Sequence, residues 1–452
     1  MRSFFMIFTV SLVFLLAPGR AMAGEPNQYR LTFKSIEARQ IKVEAEVQLS
    51  GNSLVVDAGE IWYLPETTSW WDRISVERLE DMAGNPLKLG ERQGPRRRIE
   101  GPEVGRVRIA YTVDISFIDK HLPYGNSAAG AAFPEGYFTV ARPLFVAGET
   151  FSGASITVEK PGALQFDAPW KLKEGVYYAA TFKALTRAAV SFGNYKVLGS
   201  PEGNLDYRLI AFGLEPEVRA LLNRTMTTVT GYYLEKYPLP NPSRYIQYVY
   251  PAHHLGGEAY AASSVSAVVP AHIGEGRWKL TMAHELFHVW NPFLIPGAQR
   301  EEMEWFKEGF TNYISETTLL KAGEISRATW EGAARNHHQR YLEALKAAPE
   351  TITIVSSGAD KGKYGRIVYD GGAVIAAWLD RELTRVSSGD IDLTGLLGLL
   401  INRAHTEKKT LDVPSFLAAV SAIDPAVARN LKTYLTTRTP VPQVIGLEPG
   451  KD

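Results

Sequence analysis

Residues 284 to 291 read HELFHVWN. On a helix, His284 and His288 lie one turn apart on the same face, so both imidazoles can reach a single ion, and Glu285 can lean over that ion's open coordination position. A catalytic zinc takes three protein ligands and leaves a fourth place free, so a third ligand is needed downstream. Glu308, in EWFKEGFTNYIS, meets that need, and the helical spacing of Trp305, Phe306, Phe310 and Tyr313 would bury one face and hold its carboxylate firmly. Between the two segments the first helix has room to end near Asn291-Pro292 and the chain to turn back through Pro296-Gly297. Asn312, one turn after Glu308, is placed to accept the outer N–H of a ligand histidine and fix its tautomer. One zinc ion per chain held this way would acidify water and polarise a carbonyl, with Glu285 taking the water's proton and returning it to a leaving amine. That chemistry is peptide-bond hydrolysis.

HELFHVWN followed by WFKEGFTNY resembles the gluzincin metallopeptidases. The Trp290-Asn291 ending is most similar to the glycyl-aminopeptidase family, and the wider aminopeptidase N relatives share the framework. The resemblance implies an oxyanion-stabilising tyrosine in a Y-x-K-G motif, for which YGRIVYDGG supplies Tyr369, with Tyr364 as a second tyrosine before it and Gly371 where the motif has lysine. It also implies a glycine-rich strand whose backbone pairs with the substrate and whose glutamate binds the free α-amine. Gly256, Gly257 and Glu258 of HHLGGEAYAASSV stand in that place, although Ala259-Tyr260 follows directly where the usual spelling differs. Peptides are then the substrates, and removal of N-terminal residues is the implied activity. A zinc endopeptidase with the same machinery, or a non-catalytic peptide-binding relative that keeps the fold, stays open. The PDZ module that often ends the glycyl-aminopeptidases is not expected here.

Of the seven histidines outside the ligand set, four stand in adjacent pairs. His253 and His254 flank the glycine-rich strand and read as pocket-lining or surface residues. His337 and His338 are neighbours on a helix, where side chains point about 100° apart and cannot both face one ion, so surface or helix packing is their reading.

The elements that must position these groups follow from the hydrophobic period. From about 28 to 196 the period is two: IKVEAEVQL sets Ile41, Val43, Ala45, Val47 and Leu49 opposite Lys42, Glu44, Glu46 and Gln48, and VRIAYTVDISF repeats the arrangement. After the GSPEGN stretch at 199–204 the pattern turns helical, apart from the strand-like RYIQYVY. The expected fold is multidomain. It comprises an export signal over 1–23, an N-terminal antiparallel β-sandwich-like domain over 24–200, a catalytic domain over 201–345, a helical region over 346–440 and a tail over 441–452. The resemblance implies that the catalytic domain is a thermolysin-like α+β unit.

Composition narrows the partners. Lys plus Arg number 49 and Asp plus Glu 49, so no net field draws the chain to nucleic acid or an anionic membrane. There is no cysteine, which excludes disulfides and thiolate chemistry and leaves a metal only His, Asp and Glu as ligands. Arg2, the apolar run from Phe4 to Ala17 and Ala21-Met22-Ala23 have the layout of a cleavable signal, so export to a bacterial periplasm or the exterior is expected, with no membrane span after cleavage. The sequence does not set the oligomeric state.

Overall fold

Strand Gln40–Gln48 shows how the period-two pattern is used: Ile41, Val43, Ala45 and Val47 are buried while the residues between them stay half-exposed or exposed. In the computed structural model, which describes residues 25–58, 69–199, 201–241 and 243–444, this strand pairs antiparallel with Asn27–Phe33 and with Arg106–Asp114. They form the middle of a seven-stranded sheet, and two four-stranded sheets complete the β part. The expectation of purely antiparallel pairing fails at one place, because Asn27–Phe33 runs parallel to Ala154–Glu159. Strands so far apart in sequence are joined by no hairpin, so nothing local forces them antiparallel. The expected signal at 1–23 lies outside the described residues, as does most of the tail.

A further sheet positions the site. Leu205–Ala211, Ser243–Pro251 and Ser263–Val268 run parallel, and helix Pro216–Lys236 makes the crossover that parallel neighbours require. Gly256–Tyr260 closes one end as an antiparallel edge strand. Ser243–Pro251 is buried over six consecutive residues, as a strand covered on both faces must be. Its Ile246, Tyr248 and Tyr250 join the core of the β part, whereas Tyr245 and Val249 pack on the helices. The two cores therefore share this sheet as a common wall.

The helical core includes Arg277–Phe287, Thr311–Lys321, Arg327–Ala347 and Gly372–Val386. It runs on through Leu396, Leu400, Phe416 and Leu431 of the later helices, all 4% exposed or less. Each such side chain contributes roughly 1.5–3 kcal/mol by leaving water. Asp392, Asp412 and Asp424 each accept backbone N–H groups at the starts of the last three helices. Among the described residues, no helix is long and apolar enough to cross a membrane.

Candidate metal centre

Three buried side chains from the sheet and the crossover helix grip the Arg277–Phe287 helix by its backbone carbonyls. Gln247 Nε2 donates to Met282 O at 3.0 Å, Tyr233 Oη to Ala283 O at 3.2 Å and Tyr245 Oη to Glu285 O at 2.9 Å. The helix is thereby fixed in depth and rotation, with His284 on its last turn and His288 just past it.

Each imidazole is oriented by its outer nitrogen. His284 Nδ1 lies 2.8 Å from Asn312 Oδ1, and His288 Nδ1 lies 2.7 Å from Asn291 O. A carbonyl oxygen only accepts, so Nδ1 carries the hydrogen and a neutral ring turns its Nε2 lone pair inward. Both Nε2 atoms face Glu308 Oε2, at 3.2 and 3.6 Å. Burial lowers the His288 pKa, leaving a lone pair aimed at a carboxylate oxygen. For His284, burial is outweighed by Glu308 and Glu285 and the pKa rises, so without metal that ring can share a proton with Glu308. His284, His288 and Glu308 would together hold a divalent cation, which would take the place of that proton. The candidate ligand atoms of His284, His288 and Glu308 lie within 4.8 Å of one another, and all three residues are buried. This donor set fits zinc.

Glu308 does not sit on an ordinary α-helix, as its aromatic spacing suggested. Trp305–Phe310 is a π-helical turn that leads into Thr311–Lys321, and such turns commonly mark functional positions. Asn291 Nδ2 donates to Phe306 O at 3.0 Å and ties the turn to the loop after the histidines. While Oε2 faces the histidines, Oε1 is held by Lys361 and Lys307. Burial would raise the Glu308 pKa, but the hydrogen bond from His284 and the charge of Lys361 hold it well below the usual carboxylate range. Neither lysine was singled out from the sequence. Lys361 lies in DKGKYGR, a stretch with no periodicity to mark it.

Tyr369 occupies a second π-helical turn, Ile367–Gly371. Its ring lies 6.3 Å from that of His284, and Lys361 Nζ stands 4.9 Å from its centre. Burial, then Glu308 and Glu285, push its phenol pKa far up, so it stays a proton donor. The two π turns meet where Gly309 and Gly372 touch: a Cβ on Gly309 would lie 2.2 Å from Gly372 C. Gly371, in the position where lysine was expected, backs onto Tyr341, whose ring carbon would be 2.9 Å from an added Cβ. Packing against the Arg327–Ala347 helix thus leaves no room for a side chain at 371. Tyr364 does not line the site cavity; it is half-buried against the helical core, with Lys363 Nζ 5.2 Å from its ring.

The cavity, about 390 Å³, is lined by the three candidate ligands together with Glu285, Tyr369, Asn312, Lys307, Lys361 and the edge-strand residues Gly256, Gly257 and Glu258. Glu285 is 8% exposed. Burial, with Glu258 and Glu308 nearby, pushes its carboxyl up to about 8, and a divalent cation beside it would draw that value down. Gly257 lets the edge strand approach, since a Cβ there would meet Glu285 Oε1 at 2.3 Å. Glu258 is half-buried, and burial raises its pKa against the opposing charges of Arg142, Lys307 and Lys361. His253 and His254 are exposed and do not line this cavity. His337 is buried in the helical part between Glu316 and Asp370, and His338 Nε2 lies 3.1 Å from Val441 O.

No family profile matches the chain, and no curated protein matches it in sequence. Solved structures do match in shape. An aminopeptidase N family protein from Idiomarina loihiensis superposes with a TM-score of 0.72 at 17% identity, over 92% of this chain and 77% of that one. An M1 zinc metallopeptidase from Deinococcus radiodurans gives 0.56 at 14% identity, over 93% and 95%, and a mutant of it is known with a Tyr-Ser-Ala substrate bound. Yeast LTA4 hydrolase in complex with bestatin gives 0.55 at 14% identity, over 94% and 68%. At these identities the likeness is one of architecture: the chain is built on the fold of the aminopeptidase N and M1 zinc metallopeptidase structures.

Proposed function

We propose that this protein is a zinc-dependent peptidase that removes N-terminal residues from peptides. The observation that carries the reading is the convergence of two imidazole lone pairs and a carboxylate oxygen beside the buried Glu285. His284, His288 and Glu308 would hold the zinc. Zinc bound there would supply Lewis-acid polarisation of the scissile carbonyl and acidify the attacking water.

The chain's own groups do the rest. The unpaired edge of Gly256–Tyr260 offers backbone hydrogen bonds to an extended peptide. Glu258 accepts the substrate's ammonium in a charge-assisted pair. Glu285 takes the proton from water as its oxygen bonds to the carbonyl carbon. It gives that proton to the nitrogen as the C–N bond breaks, releasing the shortened peptide as a free amine. Tyr369 donates its phenol hydrogen to the oxygen that becomes negative in between. The N-terminal stretch Arg2 to Ala23 supports export to a periplasm or exterior as part of the same proposal.

Two tests follow. Tyr369→Phe is expected to keep its metal and lose about 10²-fold in kcat, the size of effect seen when one oxyanion donor is removed; an unchanged kcat would exclude the role. Acetylating a peptide's N-terminus is expected to lower kcat/KM by about 10- to 100-fold, through loss of a charged hydrogen bond. Equal rates for the free and acetylated peptides, read by mass spectrometry, would favour the endopeptidase reading. The cleft's continuation past Glu258 leaves room for that alternative.

A further inference from the structure

A second cavity, about 420 Å³, opens from the first and shares with it Glu258, Ala259, Pro292, Phe293 and Lys307. It lies beyond Glu258 along the edge strand, against the short helix Phe182–Thr186 of the β part. Four cationic residues line it, Arg142, Lys183, Arg187 and Lys307, and Glu258 is the one acid among its described lining residues. Some of this charge is answered from behind. Buried Asp57 stands 3.8 Å from Arg142 and 3.5 Å from Arg187, and Lys307 pairs with Glu304 and Glu308. Lys183 instead donates to the neutral amide oxygen of Gln299 at 2.8 Å. Burial, and then the positive charge of Arg187, lower the Lys183 pKa despite Asp57.

We propose that this annex binds the side-chain carboxylate of an acidic N-terminal residue, so that peptides beginning with Asp or Glu are the favoured substrate class. The proposal rests on the reading that Glu258 holds the α-ammonium. Because the annex opens beside Glu258, it is the space next to a first residue whose ammonium Glu258 holds. An acidic N-terminal residue carries a positive and a negative charge a few bonds apart, and the site offers Glu258 beside Arg142, Lys183 and Arg187 in the same order. A neutral side chain of the same shape would bring no charge to Lys183, which donates only to the amide oxygen of Gln299.

The test compares Glu-Ala and Gln-Ala peptides, which differ at one atom position and one charge, on the zinc-loaded enzyme. The Glu peptide is expected to have at least about tenfold higher kcat/KM, mostly through KM, with the ratio shrinking as salt rises. Lys183→Met and Arg187→Met are each expected to lower that ratio by about threefold or more. Equal rates for the two peptides, or a ratio that neither variant changes, would overturn the proposal. Calorimetric binding of the dipeptides Glu-Ala and Gln-Ala to the Glu285→Gln protein separates it from the aminopeptidase reading. Tighter Glu-Ala binding that depends on Lys183 supports the annex even if the native enzyme cleaves internally, and equal binding overturns it.

Discussion

Changing Glu285 to Gln is expected to leave a folded, metal-loaded protein whose peptidase kcat is lower by about 10²- to 10⁴-fold, the range that a general base supplies. The metal should stay because Glu285 is not among the converging ligand groups, which are His284, His288 and Glu308. The fold should stay because glutamine has the shape of glutamate, and the contact that Gly257 makes possible beneath the side chain is kept. The backbone oxygen at 285 still accepts from Tyr245. Only the proton acceptor is lost, since an amide cannot take the proton from water. Metal content by emission spectrometry and hydrolysis of an amino-acid amide, measured on the same sample, check both halves. Near-native activity, or loss of metal together with activity, would overturn the assignment of Glu285 as base rather than ligand.

Helical spacing makes His284, Glu285 and His288 readable from the sequence, because the helix dictates which residues share a face. Glu308 follows from counting ligands. Beyond that, local pattern loses its grip. The π turns carrying Glu308 and Tyr369 arise where Gly309 and Gly372 let two segments touch, and no spacing within either segment encodes a contact with the other. Gly371 stands where the motif has lysine, and Tyr341, from a different helix, gives that difference a steric cause. Lys361 and Lys307 were invisible for a related reason, since a charged residue in an irregular or amphipathic stretch is ordinarily solvated. The β part shows the same limit: alternation identified its strands and their buried faces, but not the parallel pairing of Asn27–Phe33 with Ala154–Glu159.

Changing His337 to Ala is expected to lower stability by about 3–5 kcal/mol at pH 6, the cost of removing one partner from a buried ion pair. Both ring nitrogens face carboxylates, Nε2 at 2.9 Å from Glu316 Oε1 and Nδ1 at 2.6 Å from Asp370 Oδ1. Carboxylates accept, so both nitrogens donate and the ring is an imidazolium. Burial works against that charge, but Glu316 and Asp370 outweigh it and raise the pKa to about 9. Without the ring, Glu316, 5% exposed, would be left buried without its cation, while Asp370 would keep Arg340. Because the folded pKa lies above the unfolded value near ~6.5, this stabilisation is complete below about pH 6.5 and is lost as pH rises through about 9. The interval corresponds to a loss on the order of 3 kcal/mol. Asp370, held below its usual value by His337 and Arg340 against the effect of burial, sets the acid side: its contribution is present above ~3.8 and falls away as the pH drops further. Urea midpoints of the native protein and His337→Ala should therefore lie far apart at pH 6 and draw together at pH 9.5, and an equal gap at both would show that the ring is held neutral. Glu316 lies one turn beyond Asn312, and Asp370 follows Tyr369, so the same cluster joins the helix that orients His284 to the turn that carries the phenol. Its loosening should lower kcat before the protein unfolds.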